Sequence, residues 1–313
     1  MLRNQANKIV EFVKHNYFVQ RLGSVRNIWR EFRSYKGEED NGTPTKIIHN
    51  NKEVASPKKM SNIFNEFFIK KVEDIQSKFD EEDSDQMEIL SKLIPRPNTT
   101  LDINYVTINE VYDAVIRMKT TNSCGFDQIN SKTMKMIPQI TTLWLTHLIN
   151  SMLLKQKFPK ILKVSKITPI KKSKKCPMTT ASYRPISNLQ VYEKVVEEVL
   201  KRRLTKYFED NNLLSEEHHG GRRYHSTVSA MSILEEAARR NLDKNKLGII
   251  ISTDLQAAFD TVNSRLLIQK LKYYGISGNL IKLLESYLKD RYQFVEIQNV
   301  QSKILQSPNC SVI

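Results

Sequence analysis

Apolar residues recur at helical spacing along much of this chain, in blocks separated by polar, turn-forming stretches. Near the N-terminus, Ile9, Val10, Phe12, Val13, Phe18 and Val19 predict an amphipathic helix, and helical patterning carries on through NIWREFRSY. The polar stretch that follows reads as a loop, within which KIIHNNKEV predicts a small hairpin turning at Asn50-Asn51. Ile63, Phe64, Phe67, Phe68 and Val72 mark a second helix. Thr107, followed three residues later by Glu110, has capping-box spacing and predicts a helix start. That helix, containing VYDAVIRMK, runs into TNSCGFDQI, a turn built around Gly125 and Asp127. The TTLWLTHLINSMLL region predicts another helix. The alternation in VSKITPI predicts a strand, KKSKKCPMTT reads as an exposed hairpin tip, and Pro185 biases Arg184 towards an extended backbone. Val191, Val195, Val199, Leu200 and Leu204 lie on a long helix. HHGGRRYHST is a Gly-hinged basic turn, and MSILEEAARRNLD is again helical.

The stretch LGIIISTDLQAAFDTV, Leu247 to Val262, carries the sharpest question. Its branched aliphatic run predicts a strand buried on both faces, and Asp254 stands at its end. A carboxylate there is costly unless it is solvated or meets a cation. Two readings follow: Asp254 caps the next helix, or a strand end fixes it rigidly for chemistry. Downstream, Asn263 predicts the start of a helix with Leu266, Leu267 and Leu271. Leu280, Leu283, Leu284, Tyr287 and Leu288 have i, i+3, i+4, i+7 and i+8 spacing, and YQFVEIQ returns as a strand. The fold class read from this order is α/β.

Charge changes the picture next. The 313 residues carry a formal net charge of +15, which repels itself and attracts polyanions, nucleic-acid backbone first among them. Seven lysines fall between Lys160 and Lys175 with no acidic residue; beside a strand, such a run suits a nucleic-acid contact, the other reading being a solvated surface. Cys124, Cys176 and Cys310 form no CxxC pair, which argues against a zinc knuckle or a disulfide scaffold and fits a reducing compartment. No apolar run is long enough to cross a bilayer, and the first residues lack the apolar core of a secretory signal. The three histidines of HHGGRRYHST have no Cys or carboxylate cluster beside them, so packing or RNA contact is the expected role.

In this order the pieces resemble the reverse transcriptase of LINE-type, non-LTR, jockey-like retrotransposons. The resemblance covers roughly residues 105–313. It rests on INEVYDAVIRMK with CGFDQI, FPKILKVSKITPIKK, SYRPISNL, KRRL, GGRRYHST, TDLQAAFDTV, and LKYYGI with ESYLKDRYQFVEI. Any one of these is weak, and seven in the right order are strong. The region before residue 101 looks like the segment joining that family's endonuclease to its polymerase. The resemblance implies a helical extension over 1–100, right-hand polymerase fingers over about 101–240, part of a palm over about 241–313, and no thumb. It also implies RNA template, DNA primer and deoxynucleoside triphosphates as partners, Mg²⁺ or Mn²⁺ as cofactor, and a nuclear site of action with a cytoplasmic ribonucleoprotein stage.

The same resemblance assigns roles residue by residue. Asp254 is the first metal-binding, catalytic carboxylate, with the Leu255 carbonyl as its neighbour. Phe259 lies beneath the incoming sugar, where a bulky ring excludes a 2′-hydroxyl and selects deoxynucleotides. Asp260, one residue later, is expected to be a helix-start acceptor. Arg184 meets the triphosphate, since a guanidinium binds phosphate bidentately. Lys171, with Lys166 as the second choice, adds a charge beside Arg184 or beside the template. Lys166, Lys172, Lys174, Lys175, Arg222 and Arg223 contact nucleic acid.

Two departures qualify this. The family's usual form is close to Q-x-G-F-R, whereas this chain reads HHGGR, with His218 and Gly221 in place of Gln and Phe. The aromatic-x-Asp-Asp hairpin that supplies the remaining metal carboxylates does not occur in the 313 residues. A single Asp makes a poor two-metal site, so the expectation is a chain that does not polymerise alone; the alternative is a non-catalytic RNA-binding remnant. An aspartate-nucleophile phosphatase would need a second Asp where Gln256 stands.

Overall fold

The computed structural model describes residues 43–78, 83–172, 178–255 and 257–308, together with Asn16 and Cys176. The expected N-terminal helix and Lys174, Lys175 and Gln256 lie outside the described residues. The chain is mixed α/β, as its patterning indicated. Among the described elements a small hairpin leads: β1 (Ile47–His49) and β2 (Lys52–Val54) pair antiparallel. Asn50 and Asn51 at its tip both take positive φ, +49° and +59°, as a two-residue hairpin turn requires.

Helix α1 (Pro57–Gln76) buries Met60, Phe64, Phe68 and Val72 along one stripe. After α2 (Asp83–Leu93), α3 (Ile108–Arg117) begins at the expected capping box: the Glu110 amide donates to Thr107 Oγ1, and the Thr107 amide donates to Glu110 Oε2 at 2.8 Å. Then come the single turn α4 (Ser131–Met134), α5 (Pro138–Lys155), β3 (Val164–Lys171), β4 (Tyr183–Asn188) and the long α6 (Val191–Asp210). The chain continues with α7 (Thr227–Asp243), α8 (Ser264–Tyr273), α9 (Gly278–Leu288), β5 (Tyr292–Ile297) and the short β6 (Val300–Gln301) and β7 (Leu305–Gln306).

The main sheet has the order β4-β3-β5-β6, with β7 also on β5. β3 runs antiparallel to β4 and parallel to β5. Alternation puts successive side chains on opposite faces, and the two faces have different covers. On one, Ile167, Tyr183, Val295 and Ile297 pack with Ile47, Met60, Phe64 and Phe68 of the N-terminal hairpin and α1. Polar ties fix the same contact: Gln293 Nε2 donates to Asn65 Oδ1 at 2.9 Å, and Asn65 Nδ2 donates to Ser302 Oγ at 3.1 Å. Each of the two buried phenylalanines of α1 is worth about 1.5–3 kcal/mol of burial. The larger core lies among α3, α5, α6, α8 and α9, around Val111, Ile149, Val195, Val199 and Leu280.

One expectation fails. Residues 247–255 form no strand, and the aliphatic run is open to solvent, with Leu247 99%, Ile249 88% and Ile251 84% exposed. Extended backbone becomes a strand only when a neighbour takes up its N–H and C=O groups, and none of the described strands lies beside it. Helix α7, just before it, forms on a Ser226 capping box yet buries none of its residues. Helix α8 starts at Asn263, whose Oδ1 accepts from the Leu266 amide at 3.1 Å.

Candidate nucleic-acid and nucleotide interface

The strand register decides which basic residues keep company. Arg184 stands opposite Ile170, and Lys171 stands opposite Tyr183. Opposed residues point to the same side of a sheet, so Lys171 shares Tyr183's face, under α1, while Arg184 shares the other face with Ile170 and Ile186. The pairing therefore starts the Lys171 and Arg184 side chains on opposite faces of the sheet.

Arg184's face is half covered and half open. The turn after α3 closes the inner half: Phe126 meets Phe294 edge to face at 5.8 Å. Ser123 Oγ donates to Asn188 Oδ1 at 2.7 Å, and Asn188 Nδ2 donates to Thr168 Oγ1 at 3.0 Å. Gly125 is needed here, since a Cβ would come within 2.7 Å of the Gln190 backbone. On the outer half Arg184 is exposed, between Ile170 and Ile186, which are 38% and 42% exposed. A guanidinium held on a strand beside apolar surface is suited to a phosphate whose base or sugar rests on the aliphatic residues.

Lys166 overturns its assignment as a nucleic-acid contact. It is buried, its Nζ donates to Glu296 Oε1 at 3.1 Å, and Cys124 Sγ lies 3.7 Å away. Facing inwards on β3, it neutralises a carboxylate on the neighbouring strand rather than meeting solvent. Lys163, from the same run, is also buried and donates to the Lys289 carbonyl at 3.0 Å, with burial pulling its pKa down. Lys172 is half-exposed and donates to the Ala181 carbonyl at 2.7 Å. The run of lysines is thus divided: part holds the sheet together and part faces outwards.

Asp254 and Leu255 are exposed, in the non-strand stretch after α7, and Phe259 is 64% exposed in the turn that follows. Rigid placement at a strand end is accordingly absent. Asp260 does not cap α8, a place held by Asn263. It lies on the α1 side in a recess with Phe68, Lys71, Ile167, Pro185, Ser187 and Gln293, where burial raises its pKa and Lys71 opposes that rise. Among the described residues no three His, Cys, Asp or Glu side chains gather where they could hold a metal ion. A pair of divalent ions needs several carboxylates in one place, and Asp254 and Asp260 do not provide it.

Arg222 and Arg223 lie in the turn before α7. Arg222 Nη1 donates to the Ser215 carbonyl at 2.9 Å, and Arg223 stacks over Tyr224 at 4.8 Å. Residues that the sequence left unmarked, Ser123, Asn188 and Glu296, prove to fasten the covered half of the sheet face that Arg184 shares. The alternation of SYRPISN and YQFVEI carried that signal once the strands were put in register.

Residues 170–307, from the end of β3 through β7, match the sequence profile of the family described as "Reverse transcriptase (RNA-dependent DNA polymerase)". Over 95% of its length the chain is 26% identical to a Drosophila melanogaster protein named "Probable RNA-directed DNA polymerase from transposon BS". It is 27% identical over 64% of its length to the "RNA-directed DNA polymerase from mobile element jockey" of Drosophila funebris. A third relative, from the X-element transposon of Drosophila melanogaster, is 30% identical over 58% of the chain. The matches span 33%, 22% and 20% of these relatives, so the chain corresponds to a third of their length or less. No helix among the described residues is long and apolar enough to cross a membrane. Residues 170–307 thus carry the sequence signature of the reverse transcriptase family, and the relatives that share it are named as RNA-directed DNA polymerases of Drosophila mobile elements.

Proposed function

We propose that this chain provides the fingers, about 101–240, and part of the palm, about 241–313, of an RNA-directed DNA polymerase. RNA template, DNA primer and deoxynucleoside triphosphates are its substrates. Residues 1–100 act as the extension through which the polymerase joins the rest of its polypeptide, and the enzyme works at chromosomal DNA in the nucleus after a cytoplasmic ribonucleoprotein stage. The observation that carries this reading is the family match over 170–307, which includes both SYRPISN's Arg184 and the TDLQAAFDTV stretch.

In this reading Arg184 binds the triphosphate from the open face of the sheet. Phe259 excludes a 2′-hydroxyl by bulk, and the half-exposed Lys172, with Lys174, Lys175, Arg222 and Arg223, tracks nucleic-acid backbone. Reverse transcriptases work with divalent ions such as Mg²⁺. Asp254 would be one ligand, beside the Leu255 carbonyl, but the described residues do not complete a metal pair.

That single carboxylate favours a second reading for the isolated chain, a non-catalytic RNA-binding module. Primer extension on an RNA template with Mg²⁺ or Mn²⁺ separates the two. No extension, together with RNA affinity that falls steeply as salt rises, is the expected outcome. Extension abolished by Asp254→Asn would instead show that the 313 residues hold a working centre.

A further inference from the structure

We infer that Tyr224, braced by Arg223, is a stacking platform for an unpaired base of single-stranded RNA; this rests on the reading that the chain engages RNA. The His225 amide donates to the Arg222 carbonyl at 3.3 Å, closing a four-residue turn with Arg223 and Tyr224 at its two central positions. Tyr224 takes φ +61°. The third position of such a turn, at positive φ, is one that glycine or asparagine usually fills, because a Cβ is strained there. An aromatic residue that accepts this strain normally gains packing in return. Tyr224 gains none from a core: it is 88% exposed.

What it has instead is a fixed orientation. The Arg223 guanidinium lies 4.8 Å from the ring centroid. The turn is tied down around it. His225 Nδ1 is 2.9 Å from the Arg223 carbonyl oxygen, the His219 and His225 rings meet at 5.0 Å, and His219 Nδ1 is 2.8 Å from Ser229 Oγ. An aromatic ring presented to solvent with a cation against it is the surface on which nucleobases stack, whatever their sequence. Duplex bases are already stacked on one another, so the platform selects unpaired strands. Over residues 215–226, Arg222 and Arg223 are matched by Glu216 and Glu217, so ring contact at Tyr224 adds a salt-independent part to whatever backbone contact the two arginines make.

The test measures binding of the 313-residue chain to a short single-stranded RNA, to the same strand with abasic units, and to duplex RNA, across a salt series. For Tyr224→Ala the expected result is about tenfold weaker binding to the single strand, little change on duplex, and loss of the wild-type preference for bases over abasic units. The affinity ratio between wild type and Tyr224→Ala should hold constant as salt rises, although both affinities fall. Tyr224→Trp should retain affinity. Tyr224→Gly should bind as weakly as Tyr224→Ala while raising the melting temperature, which separates stacking from loop stability. Equal binding by wild type and Tyr224→Ala, with RNA affinity otherwise intact, overturns the platform and leaves the polymerase reading standing. Absence of any RNA binding by the wild type overturns both.

Discussion

Arg291 and Glu193 meet at 2.6 Å with their side chains 1% and 0% exposed. The pair joins the start of β5 to the first turn of α6, directly after the strand that carries Arg184. Arg291 also stacks on Tyr287 at 4.8 Å, and the Tyr287 hydroxyl donates to Glu197. Burial pushes the Glu193 carboxyl up to about 7, although Arg291 pulls the other way. Removing Arg291 leaves Glu193 buried without its hydrogen-bond partner and empties the space under Tyr287, so Arg291→Ala should cost about 3 kcal/mol in chemical denaturation. A double replacement by Leu and Met should recover most of that loss.

The same carboxyl sets a pH dependence. Its folded pKa, about 7, lies above the ordinary 4.5, so the folded state holds the proton more tightly. That contribution is complete below pH 4.5 and is lost as pH rises through 7. Denaturation midpoints of wild type should therefore fall over this window relative to those of Glu193→Gln.

Glu110 predicts the opposite slope. Arg203 grips it with two bonds of 2.8 Å, holding its pKa down at about 2. Stability from this pair is present above pH 4.5 and disappears as pH falls towards 2. The carboxylate is about a third exposed, 35%, so solvent screening reduces its worth to about 1 kcal/mol. Glu110→Gln should lose that amount at neutral pH and none at pH 2.

Lys166 and Arg184 should part company on mutation. Lys166→Ala leaves Glu296 unpaired in the sheet and should lower the melting temperature, with a cost of about 2 kcal/mol. Arg184→Ala should leave melting within about 0.5 kcal/mol of wild type, since it is exposed. It should weaken triphosphate binding, measured by titration with a fluorescent deoxynucleotide, by about tenfold.

The aliphatic stretch 247–255 should govern the protein's solubility. Ile250 and Ile251 are 68% and 84% exposed in a segment that pairs with none of the described strands, which invites pairing between copies. Ile250→Lys with Ile251→Lys should suppress concentration-dependent light scattering while leaving the melting temperature unchanged. Unaltered scattering would falsify this assignment.

These contrasts show where reading the chain succeeded. Local chemistry was legible: the Asn50-Asn51 turn, the Thr107 box, the Asn263 start and the stripes of α1, α6 and α9 each form as residue type and spacing dictate. What spacing does not contain is the partner across the sheet. Ile249, Ile250 and Ile251 look like a buried strand because their composition is that of one, but burial depends on a neighbour that no periodicity reveals. Lys166 failed for the related reason that its counter-charge, Glu296, is 130 residues away in sequence. At the proposed site, Arg184 was singled out by its motif alone, whereas Ser123, Asn188 and Glu296 became visible only with the β3–β4 and β3–β5 registers in hand.

The tie between Asn65 and Ser302 spans 237 residues, and it has a consequence for how the protein is born. Helix α1 emerges early from the ribosome, with Phe64 and Phe68 bare, and its docking surface on β5 is synthesised only near residue 297. Contacts this distant close slowly. During translation α1 therefore waits with its apolar stripe uncovered, and the sheet snaps shut only when the last of its strands has been released.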